Sequence, residues 1–207
     1  MNSVRFIDFY DGQGGLMSKR FLSRELIVSV AFQMIDENGI NSFSVRQLAA
    51  KLGVQVSSLY NHIANEYDLL LEVAKLTAAM YTEYIEDTVK GLPLDEAAYK
   101  AGDAFREFTR EHRYLYELLL DRRWIGDPEF DKAIEKFTQP IYFLMQDSVK
   151  DKAAQDHIYV AMRVVTHGFA SLDSLGIFDG LSVDTTESYH MMIKSVLEMM
   201  KNLSEKD

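Results

Sequence analysis

The sequence predicts an all-α protein in which a small N-terminal group of three helices is joined by a long helix to a larger helical bundle. Apolar residues recur at the helical spacings of three, four and seven along most of the chain, and no segment alternates as a strand would. Capping residues, glycines and prolines interrupt these stripes where helices should begin and end. A third observation is the segment 43–62, which has the pattern of two short helices joined by a glycine turn.

The composition limits the classes of protein to consider. The chain has 207 residues, 47% of them apolar, which suffices for one large domain or two small ones. Its net charge of −10 argues against general affinity for nucleic acid, but the charge is uneven. Residues 17–76 carry six basic and six acidic side chains, whereas the chain after residue 76 carries 15 and 24. A neutral segment attached to an acidic body suits a protein that touches DNA at one end only.

Targeting and redox features are few. The chain has no cysteine and therefore no disulfide, which fits a reducing cytoplasm. No apolar run reaches the length of a membrane span, and no signal peptide is recognisable, so we expect no membrane segment. Residues 1–17 differ from the rest, with a turn-rich stretch at Asp11–Gly15. We expect Met17 to be the natural start, because residues 13–15 can be encoded by a purine-rich ribosome-binding sequence; the alternative is a flexible leader.

The first predicted helix covers Ser23–Asn38 and ends at Gly39, since glycine readily takes the left-handed conformation after a helix. One apolar stripe runs along it, made of Leu26, Ile27, Val30, Ala31, Met34 and Ile35. This stripe is expected to cover the back of the two short helices that follow. At the helix start lie Lys19, Arg20 and Arg24, which are either within reach of a phosphate backbone or simply solvated.

The segment 43–62 begins with Ser44 and Gln47, which have the spacing of a capping box. A buried face follows, formed by Val45, Leu48, Ala49 and Leu52, and Gly53 then provides the turn. The second helix has apolar residues at Val56, Leu59 and Ile63 and outward polar residues at Ser57, Ser58, Tyr60, Asn61 and His62. Such a helix has the size and polarity to enter a DNA major groove. The alternative is an ordinary helical hairpin whose polar face is only solvated.

A long helix is predicted next. Asn65 is a candidate N-cap, and the helix should run to about Lys90 before Gly91–Pro93 stops it. A helix of this length can join the first group of helices to the body. From Leu94 onward the apolar spacing stays helical.

Three later helices are also marked by their ends. Asp127–Pro128 combines an N-cap with a first-turn proline, and Pro140 should kink the helix that follows. The next helix is expected at Ala153–Leu175. The last one follows a second capping pair, Asp184 with Glu187.

Enzyme chemistry finds little support. Glu187 and His190 have the spacing of a metal-ligand pair in a helical bundle, but a di-metal site needs a second such motif and further carboxylates. The sequence has no glycine-rich phosphate loop, no His-Glu-x-x-His motif and no nucleophile elbow. We therefore expect no metal, no cofactor and no catalytic residue.

Together these motifs resemble the N-terminal domain of the tetracycline-repressor-like (TetR) family of bacterial transcription regulators. The resemblance spans about Ser23–Val73 without gaps and rests on Phe43-Ser-Val-Arg-Gln-Leu-Ala, Leu52-Gly-Val and Ser58-Leu-Tyr-Asn-His. Further on, Thr166-His-Gly-Phe resembles a C-terminal subgroup named for a Trp-His-Gly signature, although the preceding turn lacks the tryptophan.

The resemblance implies a homodimer in which residues 18–66 bind a palindromic double-stranded DNA operator and residues 67–203 bind a small-molecule effector and dimerise. Release would follow from the effector's higher affinity for the state that does not bind DNA. The positions that match family DNA contacts are Ser44, Arg46, Val56, Ser57, Ser58, Tyr60, Asn61 and His62. Repression or activation depends on where the operator lies, and we expect a repressor.

Three positions carry particular expectations. Arg46 matches a position that can bind guanine bidentately, and Tyr60 matches one that can donate its hydroxyl to a phosphate. Many family members have a phosphate-binding lysine at the start of the fourth helix, where this chain has Glu66. A carboxylate suits a helix N-terminus but repels DNA, so weaker phosphate binding is expected.

An effector pocket is expected between the helices of the body. Its predicted lining is Tyr99, Phe105, Phe108, Trp124, Tyr142, Phe143, Met145, Tyr159 and Met162. For each residue the alternative is an ordinary core position, because aromatic and methionine stripes at helical spacing also form cores. The expected dimer interface, a four-helix arrangement, includes His167, Gly168, Ser171, Leu172, Tyr189, Met192, Ile193 and Val196.

Two other classes of protein remain open. One is a helical ligand-binding or interaction protein whose helix-turn-helix no longer binds DNA, which Glu66 and the neutral charge of that segment favour. The other is a helical enzyme, which would need titratable groups converging on a cavity.

Overall fold

The computed structural model describes residues 22–135 and 149–204, and within those ranges all regular structure is helical, as the sequence predicts. The chain divides into two compact units, one ending at Ala74 and the other beginning at Lys75. The domain boundary predicted after residue 66 stays a prediction. Within the same described ranges, no helix is both long and apolar enough to cross a membrane.

The first unit contains three helices and the start of a fourth: α1 (Arg24–Asn38), α2 (Val45–Lys51), α3 (Val56–Leu59) and the first part of α4 (Glu66–Val89). Side-chain caps begin three of them. The Ser23 and Ser44 hydroxyl oxygens accept hydrogen bonds from backbone N–H groups three residues on, both at 3.2 Å. Asn65 Oδ1 accepts one from the N–H of Asp68 at 2.9 Å. Each cap satisfies an N–H that the helix leaves unpaired, and all three predicted helix starts are confirmed.

A glycine turn separates α2 from α3, as predicted. Gly53 has a φ of 66°, in the left-handed region that favours glycine. Its N–H donates to the carbonyl of Ala50 at 3.1 Å, and the N–H of Val54 donates to Ala49 at 3.0 Å. These two bonds form a Schellman motif, which ends α2 and turns the chain toward α3.

The second helix of the pair is shorter than its sequence pattern predicts. α3 ends at Leu59, and the next three residues form a turn in which the N–H groups of His62 and Ile63 both donate to the Leu59 carbonyl. Asparagine and histidine are modest helix formers, and the cap of α4 at Asn65 follows at once, so the chain turns instead of continuing the helix.

Apolar side chains from every helix of the first unit meet in one core. The fully or nearly fully buried members are Ile27, Val30, Ala31, Ile35, Val45, Leu48, Ala49, Leu59, Ile63, Leu69, Leu70, Val73 and Ala74. Most positions of the predicted stripes are therefore buried. Val56 is the exception, since it is apolar but exposed.

The second unit contains the rest of α4, then α5 (Leu94–Glu111), α6 (Arg113–Leu119), a helical stretch at residues 128–135 (α7), α8 (Lys152–Ser174) and α9 (Thr185–Ser204). Aspartates cap three of these helices. Asp127 accepts from two N–H groups of α7, Asp151 from Ala154 N–H at 2.8 Å, and Asp184 from Thr186 N–H at 2.8 Å. The starts predicted at Asp127 and Asp184 are confirmed. The kink predicted at Pro140 lies outside the described residues.

Helices α5, α8 and α9 pack on one another around an apolar cluster formed by Ala98, Val149, Ala154, Ile158, Phe169, Tyr189, Ile193, Val196, Leu197 and Met200. Gly102 lets α9 approach α5 closely, because a Cβ there would lie 2.5 Å from Ile193 Cδ1. The buried Tyr189 hydroxyl donates to the Gly102 carbonyl at 3.2 Å.

Candidate nucleic-acid interface and effector region

The recognition segment, residues 56–62, comprises α3 and the turn after it. Its side chains divide as the helix-turn-helix pattern requires. Leu59 is fully buried in the core of the first unit, whereas Tyr60 is 49% exposed. Val56, Ser57 and Asn61 are also exposed, and Ser58 and His62 are half-buried. The fold thus brings the six predicted contact residues of this segment together on a short, well-anchored surface.

The two predicted contact residues outside that segment differ in role. Ser44 caps α2, and its hydroxyl also donates to Gln47 Oε1 at 2.8 Å. The hydroxyl is therefore already used at the start of the helix. Arg46, two residues on, is exposed and forms no ion pair with a described residue. Its guanidinium is therefore accessible to a binding partner.

Arg24 has a different role from the phosphate contact that its position suggests. Its guanidinium binds both carboxylate oxygens of Asp68, at 2.6 and 2.9 Å, and one oxygen of Glu72 at 3.2 Å. It also donates to the His62 carbonyl at 3.0 Å. Hydrogen bonding to Asp68 raises the pKa of Arg24 further above its usual value. A guanidinium paired with two carboxylates has little charge left for phosphate, so Arg24 instead ties the end of the recognition segment to α1 and α4. Lys19 and Arg20 lie outside the described residues.

Removing this tie should weaken the recognition surface. Arg24→Ala is expected to cost the first unit about 1–2 kcal/mol, because the pairs are bidentate but partly solvated. DNA affinity should fall with it, since the turn at His62 loses its anchor. Urea unfolding and DNA titration would measure both quantities, and Lys51→Ala is the control for the unfolding experiment, because Lys51 makes one loose ion pair in the same unit. Equal losses in the free energy of unfolding for the two substitutions would contradict the assigned role.

Glu66 is the first residue of α4 and is exposed there, next to Asp68 in the same turn. The helix N-terminus stabilises both negative charges, which accounts for acidic residues at this place. The weaker phosphate binding expected from Glu66 stays a prediction.

The predicted effector-pocket residues fall into separate groups in the second unit. Phe105 and Phe108 pack edge-on against Tyr81 of α4, with ring centroids 5.5 and 5.1 Å apart. A second group lies against the α5, α8 and α9 cluster and comprises Tyr99, Tyr159 and Met162. Tyr142, Phe143 and Met145 lie outside the described residues.

Trp124 contacts residues of α6 and α7. Its indole N–H donates to the Leu118 carbonyl at 2.7 Å, and its ring stacks on Phe130 at 5.3 Å. It is buried at this place, so its described contacts are those of a core residue.

A polar pair lies within the Phe105 group, and sequence reasoning missed it. The Tyr116 hydroxyl and His167 Nδ1 share a hydrogen bond at 2.8 Å, and the centroids of the Phe105 and imidazole rings are 4.8 Å apart. Burial, aided by the charge of Arg163, lowers the pKa of His167 to about 4, so the imidazole is neutral at pH 7. Within its own chain His167 contacts Phe105 of α5 and Tyr116 of α6, and its place at the dimer interface stays a prediction.

The other predicted interface residues differ in exposure. Gly168, Leu172 and Met192 are exposed, and Ser171 is half-buried. Tyr189, Ile193 and Val196 are buried in the core of their own chain, so a partner could reach them only if that core rearranged. We keep only the accessible positions in the interface proposed below.

The metal-ligand pair considered from the sequence was Glu187 with His190, at the start of α9. His190 Nε2 lies 2.7 Å from Asp103 Oδ1, which gives it a partner other than Glu187. Residues 22–135 and 149–204 contain no group of three or more histidines, aspartates or glutamates placed to hold a metal ion.

A three-helix unit with an exposed helix-turn-helix surface, followed by a larger helical unit, defines the class of helix-turn-helix transcription regulators. Two family models match the chain: "Bacterial regulatory proteins, tetR family" at residues 27–73, and "Tetracyclin repressor-like, C-terminal domain" at residues 99–196. The chain belongs to the TetR family of transcription regulators. The Trp-His-Gly subgroup stays a prediction.

Individual relatives agree with this assignment. An uncharacterized HTH-type transcriptional regulator of Mycobacterium tuberculosis, Rv0681, is 27% identical over 79% of this chain and 75% of its own length. Tetracycline repressor protein class D of Escherichia coli is 25% identical over 87% of this chain and 68% of its own length. The solved TetR regulator SCO7222 of Streptomyces coelicolor has the same fold, with a TM-score of 0.67 at 18% identity over 89% of this chain and all of that one.

Proposed function

We propose that this TetR-family regulator represses transcription by occupying a palindromic operator as a homodimer and leaves the operator when a small-molecule effector binds. The observation that carries the proposal is the recognition segment, whose exposed polar residues are held in place by the buried Leu59 and Ile63. Likeness to a tetracycline repressor protein supports repression. The protein acts on DNA in the bacterial cytoplasm and is not an enzyme.

Individual DNA contacts follow from the chemistry of the exposed side chains. The Tyr60 hydroxyl donates to a phosphate oxygen, which positions the segment without reading sequence. Asn61 pairs with adenine, and Val56 packs on a thymine methyl group, which accounts for an exposed valine at this place. Arg46 binds guanine O6 and N7 bidentately.

The homodimer uses an exposed apolar face of α8. Val160, Val164, Gly168 and Leu172 follow one another at intervals of four residues, which places them on one side of the helix. Val164 is 67% exposed, and a Cβ at Gly168 would meet no atom within 4 Å, so the face is open in the single chain. With Met192 of α9 it would pack against its copy in a second protomer, forming the four-helix interface.

A second candidate is a helical ligand-binding protein whose helix-turn-helix does not bind DNA. The exposed Glu66 at the start of α4 favours it, because this carboxylate would repel a nearby phosphate backbone.

Arg46→Ala tests the repressor proposal against this alternative. We expect it to weaken operator binding by about 1–3 kcal/mol and to relax the preference at one base pair. Binding to a set of duplexes varied at single positions would measure both effects. Lys51→Ala removes the same charge from the same helix and should lower affinity evenly across sequences. If Arg46→Ala and Lys51→Ala leave DNA binding unchanged at every position, the DNA-binding assignment is wrong.

A further inference from the structure

We propose that the effector carries a carboxylate that pairs with Arg163 and an aromatic or apolar body that packs beside Tyr116 and His167. This inference rests on the proposed function, because it names the chemical class of that effector and part of its binding site.

Arg163 differs from the other half-buried arginines of the described residues. Those three, Arg24, Arg106 and Arg113, each pair with a carboxylate, namely Asp68, Asp173 and Glu117. Arg163 is half-buried on α8, and its one hydrogen bond to a described residue goes to the Tyr159 hydroxyl at 2.8 Å. No carboxylate of the described residues pairs with it. Partial burial of a charge that pairs with no carboxylate among the described residues costs free energy, which an anionic ligand would recover.

The surroundings of Arg163 come from four helices of the second unit. Burial raises the pKa of Tyr81 and Tyr116 and lowers that of His167, and the positive charge of Arg163 acts on all three groups. Arg163 and His167 are four residues apart on α8, so their side chains are neighbours on one side of that helix, and His167 contacts Tyr116 of α6. Phe105 of α5 joins them, with its ring 5.5 Å from Tyr81 and 4.8 Å from His167.

This arrangement places a half-buried cation beside buried aromatic side chains and few polar groups, a composition that is typical of small-molecule sites. An apolar or aromatic body would pack against these rings. The planar guanidinium matches a carboxylate, which it can bind through two parallel hydrogen bonds. Arg163 is the sole cation that acts on the three titratable rings in the described part of the chain. One cation suits a singly charged acid better than a phosphate ester with two or more charges.

The net charge of the second unit makes the prediction specific. The chain after residue 76 carries a large excess of acidic residues, so it repels anions in general. An acid that binds there must gain more free energy from pairing with Arg163 than it loses through repulsion by these acidic residues. Its neutral amide has the same shape but lacks the charge, and it should bind poorly at the guanidinium.

The test measures binding to the full chain without DNA, by thermal shift and calorimetry. The probes are three acids with their primary amides: 2-naphthoate, 4-phenylbutyrate and decanoate. The proteins are wild type, Arg163→Gln, Arg163→Lys and the exposed-arginine control Arg122→Gln. Glutamine can still donate to Tyr159, and the unliganded melting temperature of each variant shows whether it folds.

We expect at least one acid to raise the melting temperature of wild type and of Arg122→Gln, while its amide does not. Arg163→Gln should weaken that acid's binding by about 10-fold or more. Arg163→Lys should weaken the binding less, because lysine keeps the positive charge but cannot form two parallel hydrogen bonds to the carboxylate. The inference is overturned if no acid binds, if an amide binds wild type as well as its acid does, or if Arg163→Gln binds the acid as wild type does. An acid that binds as expected but leaves operator affinity unchanged would count against effector release and leave the site assignment intact.

Discussion

Arg106→Ala is expected to lower the free energy of unfolding by about 3–5 kcal/mol, because it leaves a buried carboxylate without its partner. Arg106 binds both oxygens of Asp173 at 3.0 Å, and each side chain of the pair is only 12% exposed. The same guanidinium donates to the hydroxyls of Thr185 and Thr186 at 3.1 and 2.9 Å and lies over the Phe169 ring. One side chain therefore joins α5, the end of α8 and the start of α9.

Urea unfolding at pH 7.5 would measure the free energy of unfolding of Arg106→Ala and wild type. Arg110→Ala is a matched control, because Arg110 lies one turn further along α5, is 63% exposed and reaches Asp173 only at 3.9 Å. It removes the same charge and should change the free energy by less than about 1 kcal/mol. If Arg106→Ala also lowers the free energy of unfolding by less than about 1 kcal/mol, the ion pair between Arg106 and Asp173 does not hold the three helices together.

His167 should make the second unit sensitive to mild acid. Its pKa is about 4 in the folded chain and 6.5 when unperturbed, so between these values the unfolded chain binds the proton and the folded chain does not. Stability therefore falls as the pH drops below 6.5 and levels off below 4. The expected loss is about 2 kcal/mol at pH 5 and about 3 kcal/mol at pH 4.

His167→Asn removes the titrating group while keeping a polar atom near Tyr116. The free energy of unfolding of this variant should fall less than that of wild type between pH 7.5 and 5, and the difference should approach the expected loss. His157→Asn, at an exposed position of the same helix, serves as the control. Parallel pH profiles for wild type and His167→Asn would mean that the imidazole is not held neutral by burial.

The helix boundaries were largely predictable because they depend on neighbours in sequence. Ser44, Gly53 and Asn65 each act through bonds to residues a few positions away, and their roles are visible in the sequence pattern. The helix-turn-helix unit follows from these signals together with the apolar stripes. The length of α3 was overestimated because periodicity continued into a turn that the Asn65 cap requires.

The ion pairs and side-chain hydrogen bonds between residues distant in sequence were not predictable in the same way. Arg24 pairs with Asp68, Arg106 with Asp173, and Tyr116 with His167, across 44, 67 and 51 residues of chain. Helical spacing reports which face of a helix is buried but not which distant residue meets it. For the same reason the predicted effector pocket was listed from aromatic stripes alone, and the contacts of Trp124 with the Leu118 carbonyl and the Phe130 ring were not foreseen.

Residues 56–62 are proposed to read a two-fold symmetric operator. Selection of bound duplexes from a random DNA library, at two salt concentrations and with refolded protein free of carried-over ligand, tests it most directly. Wild type and the exposed-tyrosine control Tyr114→Ala should enrich the same palindromic motif, and Tyr60→Ala should lose it. No enriched motif for wild type even at low salt, or the same motif at full strength for Tyr60→Ala, would contradict the claim.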